Sequence, residues 1–417
     1  MPTGTPLAGY GSLSRRLYVP DVLGRHPYAF WFRPSVGERD RLAARALVLE
    51  GDGRRVVWLT ADLIGVDRGF TRELERRLGL DPSGPDTLIV SASHTHSGPG
   101  AFIESAVMGL VALDRSNTEV REAILDAMVE VARRADRARV PARIGTLSVP
   151  GPPVTRPRLG DPIDRELTVM KITRPEGPVI ALVWNFAIHG TMLGPRNHRL
   201  SGDVMGVASA RIEASIGAPA LFVNGAVGDV SPRGHGDGAL AATAEQLARA
   251  VEDAARRTEA RDSTPPAVAH ERVDLAGAAL SVRNCVGRWV PRAVRVPLGR
   301  VFPGEAMLVG VAAGDTAWVT MPGELQSSLG MRIKQRVRPR VAAPFVAGLS
   351  NDYLGYLVET EDWDRVSYVT CASVHGPEAG ERLADAAARV LGRLTGDGAA
   401  TARTPSAAYP RRGAGAR

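Results

Sequence analysis

The chain alternates between apolar runs of strand length and stretches with helical spacing. Runs near 45–50, 56–62 and 87–93 predict strands, with a helix around Phe70–Leu80 before the last of them. Val120, Ile124, Met128, Val131 and Ala135 then recur at helical spacing, and Ser116-Asn117-Thr118-Glu119 ahead of them reads as a capping box. Strands return at 143–149, 167–173 and 179–186. Helices follow at 203–216, with Ser201-Gly202-Asp203 as its N-cap, and at 239–258, with Leu240, Leu247 and Val251 on one face. Residues 260–315 read as strands and loops, and a last helix carries Leu383, Ala387, Val390, Leu391 and Leu394. No internal repeat is visible. This order predicts an α/β fold, a mixed sheet layered with helices.

Five of the apolar runs end in polar residues of catalytic type. Thr87-Leu88-Ile89-Val90 leads into Ser93-His94-Thr95-His96-Ser97-Gly98-Pro99-Gly100, and Val179–Phe186 into His189-Gly190-Thr191. Ala220–Asn224 leads into Gly228-Asp229-Val230-Ser231-Pro232, and Trp318–Met321 into Pro322-Gly323-Glu324. Phe345–Leu349 leads into Asn351-Asp352-Tyr353-Leu354-Gly355-Tyr356. In open α/β sheets sites assemble beyond the carboxyl ends of strands, so these five ends predict one composite site. In an extended segment residues two apart face the same way, so His94 and His96 leave their strand together. Two imidazoles so placed suit a metal ligand beside a proton-transfer group, or else a surface pair near a turn.

Other assignments stay open on the residues alone. Ser231 is a nucleophile, a neighbour of metal-activated water, or structural; its flanks are not Gly-x-Ser-x-Gly, and Pro232 follows it. Asp229 orients a histidine or caps a turn. Glu324, on the residues alone, reads as a first-turn helix residue meeting a positive dipole, since Gly323 and the spacing of Leu325, Leu329 and Ile333 suggest a helix starting there. Tyr356, on the residues alone, reads as a tyrosine capping a strand with its hydroxyl on backbone. His198, in the loop after His189, either reaches the site or, as such loop residues more often are, is solvated.

Composition changes this picture little. The 417 residues, 44% hydrophobic, suffice for one large or two ordinary domains. The formal charge of +7 comes almost wholly from arginine, with Lys171 and Lys334 the only lysines. Together with the Ala, Gly and Pro content this suggests a GC-rich bacterial genome. No basic patch alternates with aromatics, so no nucleic-acid partner is expected. Cys285 and Cys371, the only cysteines, give no disulfide framework. No apolar leader follows Met1 and no apolar run is long enough to span a bilayer, which leads us to expect a cytoplasmic protein without a transmembrane segment. The tail from 395 to 417 is Gly, Ala, Pro and Arg and is expected to be disordered.

The joint set of Ser-His-Thr-His-Ser-Gly-Pro-Gly, His189, Gly-Asp-Val-Ser-Pro, Pro-Gly-Glu and Asn-Asp-Tyr-Leu-Gly-Tyr, in this order, resembles the N-terminal catalytic domain of the neutral/alkaline ceramidases. The resemblance implies a catalytic domain over 45–394 after an N-terminal segment 1–44. It implies a zinc-dependent amidase with one Zn2+ on His94, His189, Glu324 and Tyr356. Catalytic roles would fall to His96 for proton transfer or oxyanion stabilisation, to Ser231, to Tyr368, and to Arg156 in Val154-Thr155-Arg156-Pro157. The family's typical members continue into a further C-terminal domain, and the stretch between Ser231 and Glu324 is shorter here. These departures lead us to expect a small-molecule or lipid amide smaller than ceramide. The alternatives are amide formation or cyclisation at the same site, or a non-catalytic binding protein.

Overall fold

The computed structural model describes residues 1–396 apart from Pro82, Asp161 and Arg300. The predicted tail lies almost entirely outside these residues. The expected elements are present, and their order shows what the sequence does not: one topology occurs three times. In the first unit β1 (Ala44–Gly51) and β2 (Arg54–Ala61) form an antiparallel pair, α1 (Arg68–Leu78) crosses over, and β3 (Asp86–Ala92) lies parallel to β2. A short turn of helix, α2 (Ala106–Met108), then precedes α3 (Thr118–Arg137), which packs back on β1.

The second unit begins with an added edge strand, β4 (Arg143–Pro150), and a short β5 (Thr155–Pro157). β6 (Glu166–Thr173) and β7 (Val179–Phe186) repeat the antiparallel pair, α4 (Asp203–Ile216) crosses over, and β8 (Ala220–Asn224) runs parallel to β7. β9 (Val230–Pro232) pairs with β5, and α5 (Asp237–Arg257) closes the unit against β6.

The third unit adds β10 (Ala267–Asp274) and a flap made of β11 (Ala279–Ser281), α6 (Val282–Val286) and β12 (Arg295–Pro297). β13 (Glu305–Ala313) and β14 (Thr316–Met321) form the antiparallel pair, followed by a two-residue β15 (Glu324–Leu325) and the crossover α7 (Ser327–Val337). β16 (Phe345–Gly348) lies parallel to β14, and β17 (Tyr356–Leu357) parallel to β15. The short α8 (Tyr368–Cys371) leads to α9 (Ala379–Thr395), packed on β13.

The period-two alternation of each central strand explains the layering. In β2 and β3, Val57, Leu59, Leu88 and Val90 face α1 and α3, while Trp58 and Ile89 face inward. Leu182 and Trp184 of β7 face α4 and α5, and Val183 faces inward; Val319 faces α7 and α9, and Trp318 inward. The three inner faces share one core, where Trp58 stacks on Trp318 at 4.8 Å between ring centres and Trp318 on Phe345 at 5.6 Å. Emptying that stack with Trp318→Ala would cost about 3–5 kcal/mol. Helices lie outside, sheets inside, and the carboxyl ends of the parallel strands converge.

Several local expectations are corrected. Asn117, not Ser116, caps α3, its side chain accepting from Val120 N–H. α7 begins at Ser327 rather than near Glu324, because Glu324 and Leu325 pair as a strand with Tyr356 and Leu357. The two cysteines are joined as Cys285–Cys371 across 86 residues. Too few for a framework, they still staple α6 to α8. Among the described residues no helix is long and apolar enough to cross a membrane.

Candidate metal centre

β3 ends at Ala92, and the next residues turn under control of the neighbouring loop. His94 N–H donates to Leu63 O, and His94 itself adopts φ 69°. The backbone at Thr95 then bridges to Gly190, with His96 N–H donating to Gly190 O at 2.8 Å. A Cβ on Gly190 would stand 2.6 Å from His94 O and 2.7 Å from Thr95 Cα, so only glycine lets the loops after β3 and β7 touch. This contact brings His189, three residues beyond β7, to the two histidines. Glu324 stands at the equivalent place in the third unit, three residues beyond β14. In the first unit that place is Ile64, whose carbonyl meets His94 Nδ1 at 2.7 Å.

The three imidazoles converge, with one nitrogen from each lying within 4.8 Å of the others. Each is held from behind by a backbone carbonyl: His94 Nδ1 by Ile64, His189 Nδ1 by Val230 at 2.9 Å, and His96 Nδ1 by Gly9 at 3.1 Å. A carbonyl only accepts, so each Nδ1 carries a proton, and a neutral ring then presents a lone pair at Nε2. The Nε2 atoms of His94 and His96 are buried with no hydrogen-bond partner. Glu324 Oε2 lies 2.9 Å from His189 Nε2 and 3.3 Å from His94 Nε2. Burial, with the positive charge of Arg158, pushes His189 down to about 3, and His96 is lowered by burial and by its neighbouring histidines. The neutral Nε2 of His189 and the Glu324 carboxylate oxygen thus face each other as acceptors at hydrogen-bond distance, with the unpartnered Nε2 atoms of His94 and His96 beside them. A single proton satisfies one such pair; the whole set asks for a cation in the middle. The residues present fit a divalent metal on that ground.

The other expected residues fall around this cage. Tyr356, paired in register with Glu324, puts its hydroxyl 3.4 Å from His189 Nε2. Burial and the nearby Glu324 raise its hydroxyl well above the usual range. Ser231 is buried, and Tyr368, 70% exposed, sets its ring against Tyr356 at 5.7 Å, on the rim. Asp229 accepts from Ser327 N–H at 2.7 Å and so caps α7, a helix distant in sequence. His198 stays outside the cage, its carbonyl accepting from Val36 N–H.

Arg156 does not belong to the site. It projects to solvent from β5, opposite Ser231 in the β5–β9 ribbon. The arginine that turns inward is Arg158, where the strand has ended: its Nε donates to Ser231 Oγ at 2.7 Å and its Nη1 to the Tyr356 hydroxyl at 3.2 Å. Sequence reasoning also passed over Tyr353, whose hydroxyl donates to Glu324 Oε1 at 2.7 Å, although it lies inside the Asn-Asp-Tyr motif. The N-terminal segment was equally unmarked. Gly9 supports His96, the Tyr10 ring lies 4.8 Å from the His96 ring, and buried Arg15 donates to His96 O at 3.2 Å. Only the fold reveals these, because residues 9–15 reach the site from a distant part of the chain.

Residues 26–255 match the family described as neutral/alkaline non-lysosomal ceramidase, N-terminal. Neutral ceramidase A of Dictyostelium discoideum is 27% identical over 238 residues, covering 50% of this chain and 33% of its own length. The neutral ceramidase of Pseudomonas aeruginosa is 27% identical over 232 residues, 50% of this chain and 34% of that protein. The matched segment therefore spans about a third of these relatives. The crystal structure of the Pseudomonas aeruginosa neutral ceramidase superposes on 94% of this chain and 72% of that one, with TM-score 0.78 at 19% identity. A second structure, a ceramidase complexed with C2, gives TM-score 0.78 at 20% identity over 94% of this chain and 73% of the other. The shared fold thus reaches well beyond the matched segment, through the third unit that supplies Glu324 and Tyr356. With its family match over residues 26–255, the chain belongs to the neutral/alkaline non-lysosomal ceramidase family.

Proposed function

We propose that the protein hydrolyses an N-acyl amide with one zinc ion held by His94, His189, Glu324 and Tyr356. The observation that carries this reading is the cluster of imidazole Nε2 atoms around the Glu324 carboxylate, each imidazole fixed by a backbone carbonyl. A bound zinc would supply an acidified water and a polarised carbonyl. The chain's own residues divide the rest. Tyr353 orients Glu324. Arg158 places a fixed positive charge beside Ser231 and Tyr356, where negative charge develops on the amide oxygen during attack. His96, free at Nε2, accepts the proton released by the attacking water and returns it to the leaving nitrogen.

Metal content with and without His94→Ala, together with amidase activity, tests the proposal: a metal-free wild type that remains fully active overturns it. We also propose that the substrate is shorter than ceramide, the rings of Tyr10 and Tyr368 standing on two sides of the cage. A series of N-acyl substrates decides this. Burying an acyl chain gains roughly 0.8 kcal/mol per methylene, so efficiency rising steeply to long-chain ceramide would sink it. The relatives named above are ceramidases and lend no support to an amide-forming, biosynthetic role. The Cys285–Cys371 disulfide favours an oxidising compartment over the cytoplasmic location expected from the sequence.

A further inference from the structure

Beside the cage, and unused by it, lies the flap of β11, α6 and β12. Residues 275–304 carry five arginines, Arg283, Arg288, Arg292, Arg295 and Arg300, and no aspartate or glutamate. Residues 291–297 are all exposed. Trp289 is 79% exposed, with Val286 at 56%, Val296 at 48% and Val294 at 43%. An indole and three branched side chains left in water on one projecting flap are the mark of a surface that is covered in use.

The charges indicate by what. Arg288 and Arg295 make no ion pair among the described residues; Arg295 lies over the Trp363 ring at 5.0 Å. The acidic groups facing the flap sit on the loop before α8. Asp364 is taken up by Arg283 and Arg292, and Asp362 by Arg365 at 2.7 Å, leaving Glu361 as that loop's exposed carboxylate. The flap thus offers cations among apolar side chains, with a tryptophan at its tip.

It is also fixed to the site. Cys285 is bonded to Cys371, Asn284 Nδ2 donates to Trp363 O at 2.6 Å, and Ser367 N–H donates to Asn284 O. α8 opens with Tyr368, whose ring meets Tyr356. A flap anchored in this way loses little freedom on docking.

We propose that this flap docks the protein on an anionic lipid bilayer, Trp289 and the valines entering the interfacial layer while Arg288 and Arg295 meet anionic headgroups. Docking there sets the Tyr368 rim of the site beside the membrane surface. The flap's own chemistry carries this inference, independently of the reaction at the cage.

The test is sedimentation of the full chain with vesicles of zwitterionic phosphatidylcholine, with and without about a third phosphatidylglycerol, each arginine near such a surface being worth roughly a fivefold change in binding. Binding should require the anionic lipid and weaken with salt. Trp289→Ala should lower it several-fold, and Arg288→Glu with Arg295→Glu roughly tenfold or more. Circular dichroism and hydrolysis of a water-soluble short-chain amide should stay unchanged, which separates lost docking from lost folding. Equal binding by wild type and variants overturns the proposal. So does a concentration-dependent dimer, seen by sedimentation velocity, that Trp289→Ala abolishes, because a second copy would then be what covers the flap.

Discussion

Arg158 Nε donates to Ser231 Oγ at 2.7 Å, and among the described residues no hydrogen bond joins Ser231 to a histidine. The serine hydroxyl therefore faces a permanent cation and not a base. A nucleophilic serine needs a base to take its proton, whereas a guanidinium beside a hydroxyl suits stabilisation of an oxyanion. Arg158→Ala should lower catalytic efficiency about a hundredfold or more with metal content intact, Arg158→Lys should recover part of it, and Arg156→Ala should stay near wild type. Ser231→Ala should leave measurable activity. Trapping of an acyl-enzyme on Ser231 in the wild type would reverse this assignment.

His96 shares the cage with His94 and His189, the two histidines proposed as ligands, and is itself proposed for proton transfer. His96→Ala should retain the metal and lose roughly a hundredfold in rate. Elemental analysis beside the assay separates the roles: loss of metal makes His96 a ligand in place of one of the four proposed.

The contact between the loops after β3 and β7 depends on Gly190. Gly190→Ala forces a Cβ against His94 O and Thr95 Cα, at 2.6 and 2.7 Å in the present backbone. The expected cost is about 1–3 kcal/mol of stability, with weaker metal binding, because relieving the clash moves His94 and His189 apart. Chemical denaturation and metal titration of the variant read both; unchanged values in the two would show that the loops tolerate the extra carbon.

Burial holds His189 down to about 3 from the ordinary 6.5. In metal-free protein, the unfolded chain binds a proton at this histidine from pH 6.5 downward, while the folded chain resists until about 3. Acid therefore favours the unfolded state across that window, with a slope approaching about 1.4 kcal/mol per pH unit for one such group. Urea unfolding of metal-free protein between pH 7 and 4.5 should show the decline, and His189→Asn should flatten it. An unaltered slope in the variant would show that other groups account for the acid sensitivity.

Much of the site was legible in the sequence because strand-end motifs are local. His94, His189, Ser231, Glu324 and Tyr356 each follow an apolar run that can only be a buried strand, and the α/β rule gathers such ends. The threefold repetition of the fold was not legible, since it conserves strand pairing and crossover while the side chains differ: His189 and Glu324 fill equivalent places with unlike residues. The choice between Arg156 and Arg158 depended on where β5 stops pairing with β9, a matter of contacts across some seventy residues. The supports of His96 by Gly9, Tyr10 and Arg15, and the bond between Cys285 and Cys371, likewise join distant parts of the chain. The sequence by itself determined which side chains stand at strand ends, because alternation and turn residues act over a few positions. Tertiary structure alone decided which of them meet, because packing three sheets on one core sets distances that no local pattern encodes.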